Sequence, residues 1–148
     1  MKRSLLAACG VMLFFVAAAA DLGLRSRAAL LEARRHDLWS ANPGLKAEYY
    51  GSLYKKKLAR LDKELAAGRL KKGSAGQQAD LLKSERDFFL AESSAKLALL
   101  WYKTAAERFA SPLNPWAARA RERLPAAREA WRAELAAKGL RTEDWMTE

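Results

Sequence analysis

Gln77–Ala110, QQADLLKSERDFFLAESSAKLALLWYKTAAERFA, runs for 34 residues without a glycine or a proline. Within it Leu81, Phe88, Ala95, Tyr102 and Phe109 recur at strict sevens, with Leu99 and Ala106 filling a second seam. This period belongs to a helix, and sustained over such a length it predicts one long helix packed antiparallel against others. Leu97–Tyr102, LALLWY, is apolar on every side and predicts a segment covered from most directions.

The flanking segments repeat the helical signature. Ser111-Pro112 ends the long stretch, and Asn114-Pro115 offers a cap followed by proline at the first helical position. Trp116, Ala120, Leu124, Ala127, Trp131 and Leu135 then form an apolar stripe, which Pro125 is expected to kink or split. Lys138-Gly139-Leu140 reads as a helix stop, and Thr142 as the cap of a last turn reaching Trp145. Upstream, Gly68–Gly76 is rich in helix breakers, with Ser74 and Gln77 at capping-box spacing for the next helix. Asn42-Pro43 opens a helix carrying Tyr50, Tyr54, Leu58, Leu61 and Leu65 on one face. Residues 24–39 predict an amphipathic helix with Leu24, Ala28, Leu31 and Leu38 as its apolar stripe. Strand-like alternation is absent from the sequence, so the fold class is all-α.

The first residues are of a different kind. Lys2-Arg3 precedes an apolar run from Leu5 to Val16, and small residues Ala17–Ala20 lead to Asp21. This is the layout of a secretory signal with cleavage after Ala18 or Ala20. Ser4–Ala20, at 17 residues, is also at the short end of the length needed to span hydrocarbon, so an uncleaved anchor fits equally. Leu6-Ala7-Ala8-Cys9 spells a lipobox, but the apolar run continues to Ala20, and Cys9 is better read as one more apolar residue. The basic start favours an N-terminus left in the cytoplasm and a chain exported beyond it, periplasmic or membrane-anchored in the cell envelope. The expected organisation is a signal peptide or anchor over 1–20, an amphipathic helix over 21–41, a bundle of about four helices within 42–140 and a tail over 141–148.

Composition narrows the chemistry. A net charge of +10 favours anionic surfaces, and a single cysteine allows neither an intramolecular disulfide nor a cysteine metal cluster. No phosphate-binding glycine loop, nucleophile elbow or zinc-ligand spacing occurs, and the lone His36 reads as a solvated residue near a helix end. Glu85 and Glu92 share a helix face, but paired carboxylates at that spacing are expected to meet lysine or arginine of a neighbouring helix. The expectation is a protein that is not an enzyme and holds no cofactor or metal. Lys55, Lys56, Lys57, Arg60 and Lys63 are the candidates for contact with an anionic lipid or polymer surface. Tyr50 and Tyr54 beside them belong to the apolar stripe, and nucleic acid is not an expected partner.

Ala98, Tyr102, Ala105 and Phe109, then Ser111-Pro112, then Trp116, Ala120 and Leu124 resemble a single tetratricopeptide-like corner of the bacterial envelope type. The likeness covers residues 95–124. It departs from the family upstream, where Glu85 and Arg86 stand in place of small residues, and no second copy follows. The resemblance implies an envelope protein that binds other envelope proteins through helix packing. Trp101, Tyr102, Trp116, Arg119 and Arg123 are then the candidate partner contacts, with Arg121 and Arg128 on the same rim.

Overall fold

The computed structural model describes residues 2–111 and 114–140, with side chains from Cys9 onward. Five α-helices account for nearly all of it: α1 (Lys2–Ala41), α2 (Pro43–Ala66), α3 (Lys72–Ala91), α4 (Ser94–Lys103) and α5 (Pro115–Ala137). A π-turn, Thr104–Arg108, continues α4, and no strand occurs among the described residues. The all-α class is therefore as the sequence predicts. The tail with Thr142 and Trp145, together with Pro112, lies outside the described residues.

The long helix expected over Gln77–Ala110 is instead two. Glu92 turns extended (φ −63°, ψ 139°), and α4 starts afresh at Ser94. No glycine or proline causes this break. Ser93 and Ser94 are weak helix formers, and the Lys46 ammonium donates to the freed carbonyls of Glu92 (2.6 Å) and Leu90 (3.5 Å). A buried cation thus closes the C-terminal end of α3. The heptad fails at the same point. Ala95, Leu99, Tyr102 and Ala106 are buried, whereas Leu81 and Phe88 are 68% and 61% exposed. The inward stripe of α3 is Ala75, Ala79, Leu82, Arg86 and Phe89. This helix also begins at Lys72, ahead of the Ser74 cap the sequence offers, with Lys71 as a cap that makes no side-chain bond.

The packing forms two units, residues 1–37 with 94–148 and residues 38–93. In the first, Ser26, Ala29, Leu30, Ala33 and His36 face inward along α1. Leu24, Leu31 and Leu38, the stripe expected from hydrophobic spacing, point outward. The chosen face carries smaller side chains, which let α1 approach the alanines of α4 and α5 closely. Leu30 and Ala33 join Ala98, Leu99, Tyr102, Ala105, Ala106, Ala120 and Ala127 in one core. His36 is buried here, contrary to its solvated reading, because it shares the face of Ala29 and Ala33. Helix α5 runs unbroken through Pro125.

In the second unit α2 and α3 form a helical hairpin. Its stripe is the expected one, with Leu61 buried and Tyr50, Tyr54, Leu58 and Leu65 partly so. Trp39, Tyr49, Tyr50 and Phe89 form a chain of rings 5.1–5.6 Å apart, Tyr50 and Phe89 stacked at 8°. The hairpin turns at Gly68, whose φ of +69° permits the left-handed closure of α2. Glu85 meets Lys57 at 2.7 and 2.8 Å, the neighbouring-helix pairing that its position predicts.

Candidate functional site at the helical corner

The corner between α4 and α5 collects most of the buried polar contacts of the first unit. A π-turn widens the backbone and leaves carbonyls at its end without the usual i+4 donor. Three carbonyls along this stretch accept from side chains, while that of Glu107 takes the backbone N–H of Ala110 at 3.4 Å. Ser26 Oγ, fully buried on α1, donates to the Ala105 carbonyl at 3.1 Å. Arg121 Nη2, from α5, donates to the Ala106 carbonyl at 3.2 Å. Asn114 Nδ2 donates to the Phe109 carbonyl at 2.9 Å. The same Asn114 accepts at Oδ1 from the backbone N–H groups of Trp116 (3.1 Å) and Ala117 (3.4 Å), opening α5. One asparagine therefore closes one helix and starts the next, and Pro115 at the first helical position needs no donor partner of its own.

The candidate partner residues fall into three environments. Tyr102 is 1% exposed, so its ring belongs to the core and offers no surface to a partner. Its hydroxyl donates to Asp37 Oδ2 at 3.2 Å. Burial, reinforced by the Asp37 carboxylate, pushes its phenol up to about 12, with Arg123 and Arg34 acting in the opposite sense. Trp101 and Trp116 are half-buried against the core. Two guanidinium groups lie over the Trp116 ring, Arg119 at 4.9 Å and Arg27 at 5.6 Å from its centre. Arg119 and Arg123 are exposed. Sequence spacing does not pair Arg27 with Trp116, since the two lie on different helices. Along the outer face of α4 and the π-turn lies an open cleft of about 490 Å³, lined by Leu100, Trp101, Lys103, Thr104, Glu107 and Arg108.

The basic face of α2 divides in the same way. Lys55, Lys56 and Lys63 are exposed, but Lys57 is engaged by Glu85 and Arg60 by Glu64 at 3.2 Å. Lys57 and Arg60 rim a groove of about 400 Å³ floored by Leu61, Leu81 and Leu82.

At the other end of the chain, Val11–Val16 are 57–71% exposed. Helix α1 contains the one stretch among the described residues that is long and apolar enough to cross a membrane, with a mean hydropathy of 1.5 and 6% of it buried. Compared with models of known protein families, with curated proteins and with solved structures, the chain matches none.

Proposed function

We propose that this is an exported, membrane-attached helical protein of the cell envelope that works through helix-mediated contact with other proteins and carries out no chemistry of its own. One observation carries the reading. Helix α1 is continuous from Lys2 to Ala41, yet Val11–Val16 present bare apolar side chains while Ser26–Ala33 are built into a packed unit. Exposing six consecutive large apolar residues to water is costly, at about 25 cal/mol per Å² of apolar surface, and a bilayer removes that cost. A tetratricopeptide-like use of the corner is part of the same proposal. It is supported by alanine-to-alanine packing between α4 and α5 and by the asparagine that joins them.

The test is the intact mass and fractionation of the protein from its native host. Membrane association that resists high salt, with residues 1–20 present, supports the anchored form, and a soluble species lacking them overturns it. Co-purification from the same membranes addresses the partner. A partner retained at high salt supports protein contact. Binding that collapses with salt supports the second reading, in which exposed Lys55, Lys56 and Lys63 rest on an anionic lipid or polymer surface.

A further inference from the structure

We infer that α1 pairs with α1 of a second copy of this chain, in parallel and in register, through the face opposite its packed side. The inference rests on the anchored reading and adds to it a partner of definite identity. Ser26, Ala29, Leu30 and Ala33 face the core of the first unit, and Leu24, Ala28 and Leu31 project from the other side of the same helix. Leu24 is 65% exposed and Leu31 52%. The bilayer does not cover them both. Leu31 lies eleven residues beyond Ala20, the last residue of the apolar run, and so about 16 Å further along the axis at about 1.5 Å per residue. The headgroup layer of one leaflet is about 5–8 Å deep beyond the hydrocarbon, so Leu31 stands in water. The same stripe runs down into the apolar segment, where Gly10 and Ala17 precede Leu24 and Leu31 at sevens. A seven-residue repeat keeps one face toward a partner helix along its whole length, and small residues within the hydrocarbon let two backbones approach.

Membrane and charge together identify the partner as a second copy. Two chains anchored through the same leader enter one bilayer with the same polarity and at the same depth, so their α1 helices lie parallel and level. Each seam residue then meets its own counterpart, a two-fold arrangement that closes at the dimer. In a parallel pair, a residue flanking the seam on one side faces the residue five positions further on that flanks it on the other side in the second helix. Arg27 thereby faces Glu32 of the second copy, and the symmetry repeats the contact in reverse. Arg25 and Arg34, the other flanking cations, fall opposite the uncharged positions Ala20 and Trp39, so no like charges meet across the flanks. The ionised groups within the seam are bonded inside their own chain, Asp21 by Arg25 at 2.8 Å and Arg35 by Glu32. An antiparallel pair would instead set the Arg27–Arg34 flank against its own copy.

The test uses the purified full chain in phosphatidylcholine liposomes. In a Cys9→Ser background, single thiols are introduced on the seam by Leu24→Cys and Leu31→Cys, and on the exposed outer face of α5 by Ala133→Cys. Leu24 and Leu31 are exposed in the single chain, so these changes leave its core intact. Mild oxidation is expected to join each seam variant into a species of twice the chain mass, at least about tenfold faster than the Ala133→Cys variant. In the Leu31→Cys variant, Arg27→Glu and Glu32→Arg each lower that rate about fivefold, because like charges then meet on both flanks, and the two changes together restore it. Restoration separates contact between chains from the loss of Arg27 over Trp116 or of Glu32 beside Arg35, neither of which the double change repairs. Native Cys9 in the unmodified chain reports the anchor through its protection from a membrane-impermeant maleimide. Seam thiols that join no faster than the one on α5, or a double reversal that stays slow, with Cys9 protected, overturn the pairing and leave the anchor standing. Cys9 open to the reagent overturns both.

Discussion

Asn114 carries three hydrogen bonds across the corner, so its loss is felt on both helices. Asn114→Ala is expected to cost about 1–2 kcal/mol, read as a lowered denaturation midpoint with helix content retained below it. Ser26→Ala leaves the Ala105 carbonyl buried without its donor and is expected to cost about 1–3 kcal/mol; an unchanged midpoint would contradict the role given to Ser26. Tyr102 adds a pH signature. Its phenol titrates from about 12 in the folded chain against an ordinary 10, so the fold keeps the proton longer than the unfolded chain does. The stability this supplies is fully present below pH 10 and is lost as pH rises toward 12. Denaturation of Tyr102→Phe should therefore show a shallower alkaline decline than the parent chain, from a neutral-pH stability lowered by about 1–2 kcal/mol. Parallel declines would rule this out. Of these residues, Asn114 is legible in the sequence because a cap is a local event beside Pro115, and Tyr102 because it falls on the helical seam that the structure buries. Ser26, His36 and Lys46 are not, since their burial depends on which helix face the rest of the chain selects.

Faces are where the sequence misleads at the level of elements. Apolar residues lie all round α1, so spacing alone does not distinguish the Leu24–Leu31–Leu38 stripe from the Ser26–Leu30–Ala33 one. Side-chain size decides, because the partner helices are lined with alanine and reward close approach. In α3 the strict sevens continue the pattern of α4 across a break that no proline announces, so the register of one helix was carried onto another. The helix ends were legible in part. At Gly139 (φ +68°) Leu140 N–H reaches the Leu135 carbonyl and Gly139 N–H the Ala136 carbonyl, both at 3.0 Å. At Gly68, Arg69 N–H reaches Glu64 and Gly68 N–H reaches Leu65 in the same pattern. A Cβ added at either glycine meets nothing within 4 Å, so the penalty of Gly68→Ala is conformational, about 1–2 kcal/mol. Gly76, inside α3, is equally open but has no positive φ. Gly76→Ala is expected to stabilise by about 0.5–1 kcal/mol. Thermal denaturation of the two variants should shift in opposite directions, and shifts of the same sign would remove the backbone explanation.

The whole molecule joins two chain stretches into one unit and leaves the intervening hairpin as another. No strong boundary signal in the sequence announces this, because neither glycine nor proline separates α3 from α4 and none stands in α1 between Gly23 and Ala41. The units differ in what holds them. Around α4 the core is alanine-rich but continuous, with Tyr102, Leu30 and Ser26 fully buried and three side chains tying down the carbonyls of Ala105, Ala106 and Phe109. In the hairpin, Leu61 and Ala75 are the buried apolar residues of α2 and α3, and much of the remaining contact is half-exposed ring stacking and one ion pair near the surface. Exposed ion pairs contribute about 0–1 kcal/mol, too little to offset a sparse core. Local opening should therefore be easier in α2–α3 than in the first unit. Amides of Leu30–Ala33, Tyr102–Ala106 and Ala117–Ala120 are expected to exchange with deuterium at least about tenfold more slowly than those in the middle of α2 and α3, a difference of about 1.4 kcal/mol in opening free energy. Lys46→Met should widen that gap, because it removes the ammonium from the last carbonyls of α3 while leaving the first unit untouched. Equal protection in both units, or slower exchange in the hairpin, would mean that the rings of Trp39, Tyr50 and Phe89 hold it more firmly than its few buried side chains imply.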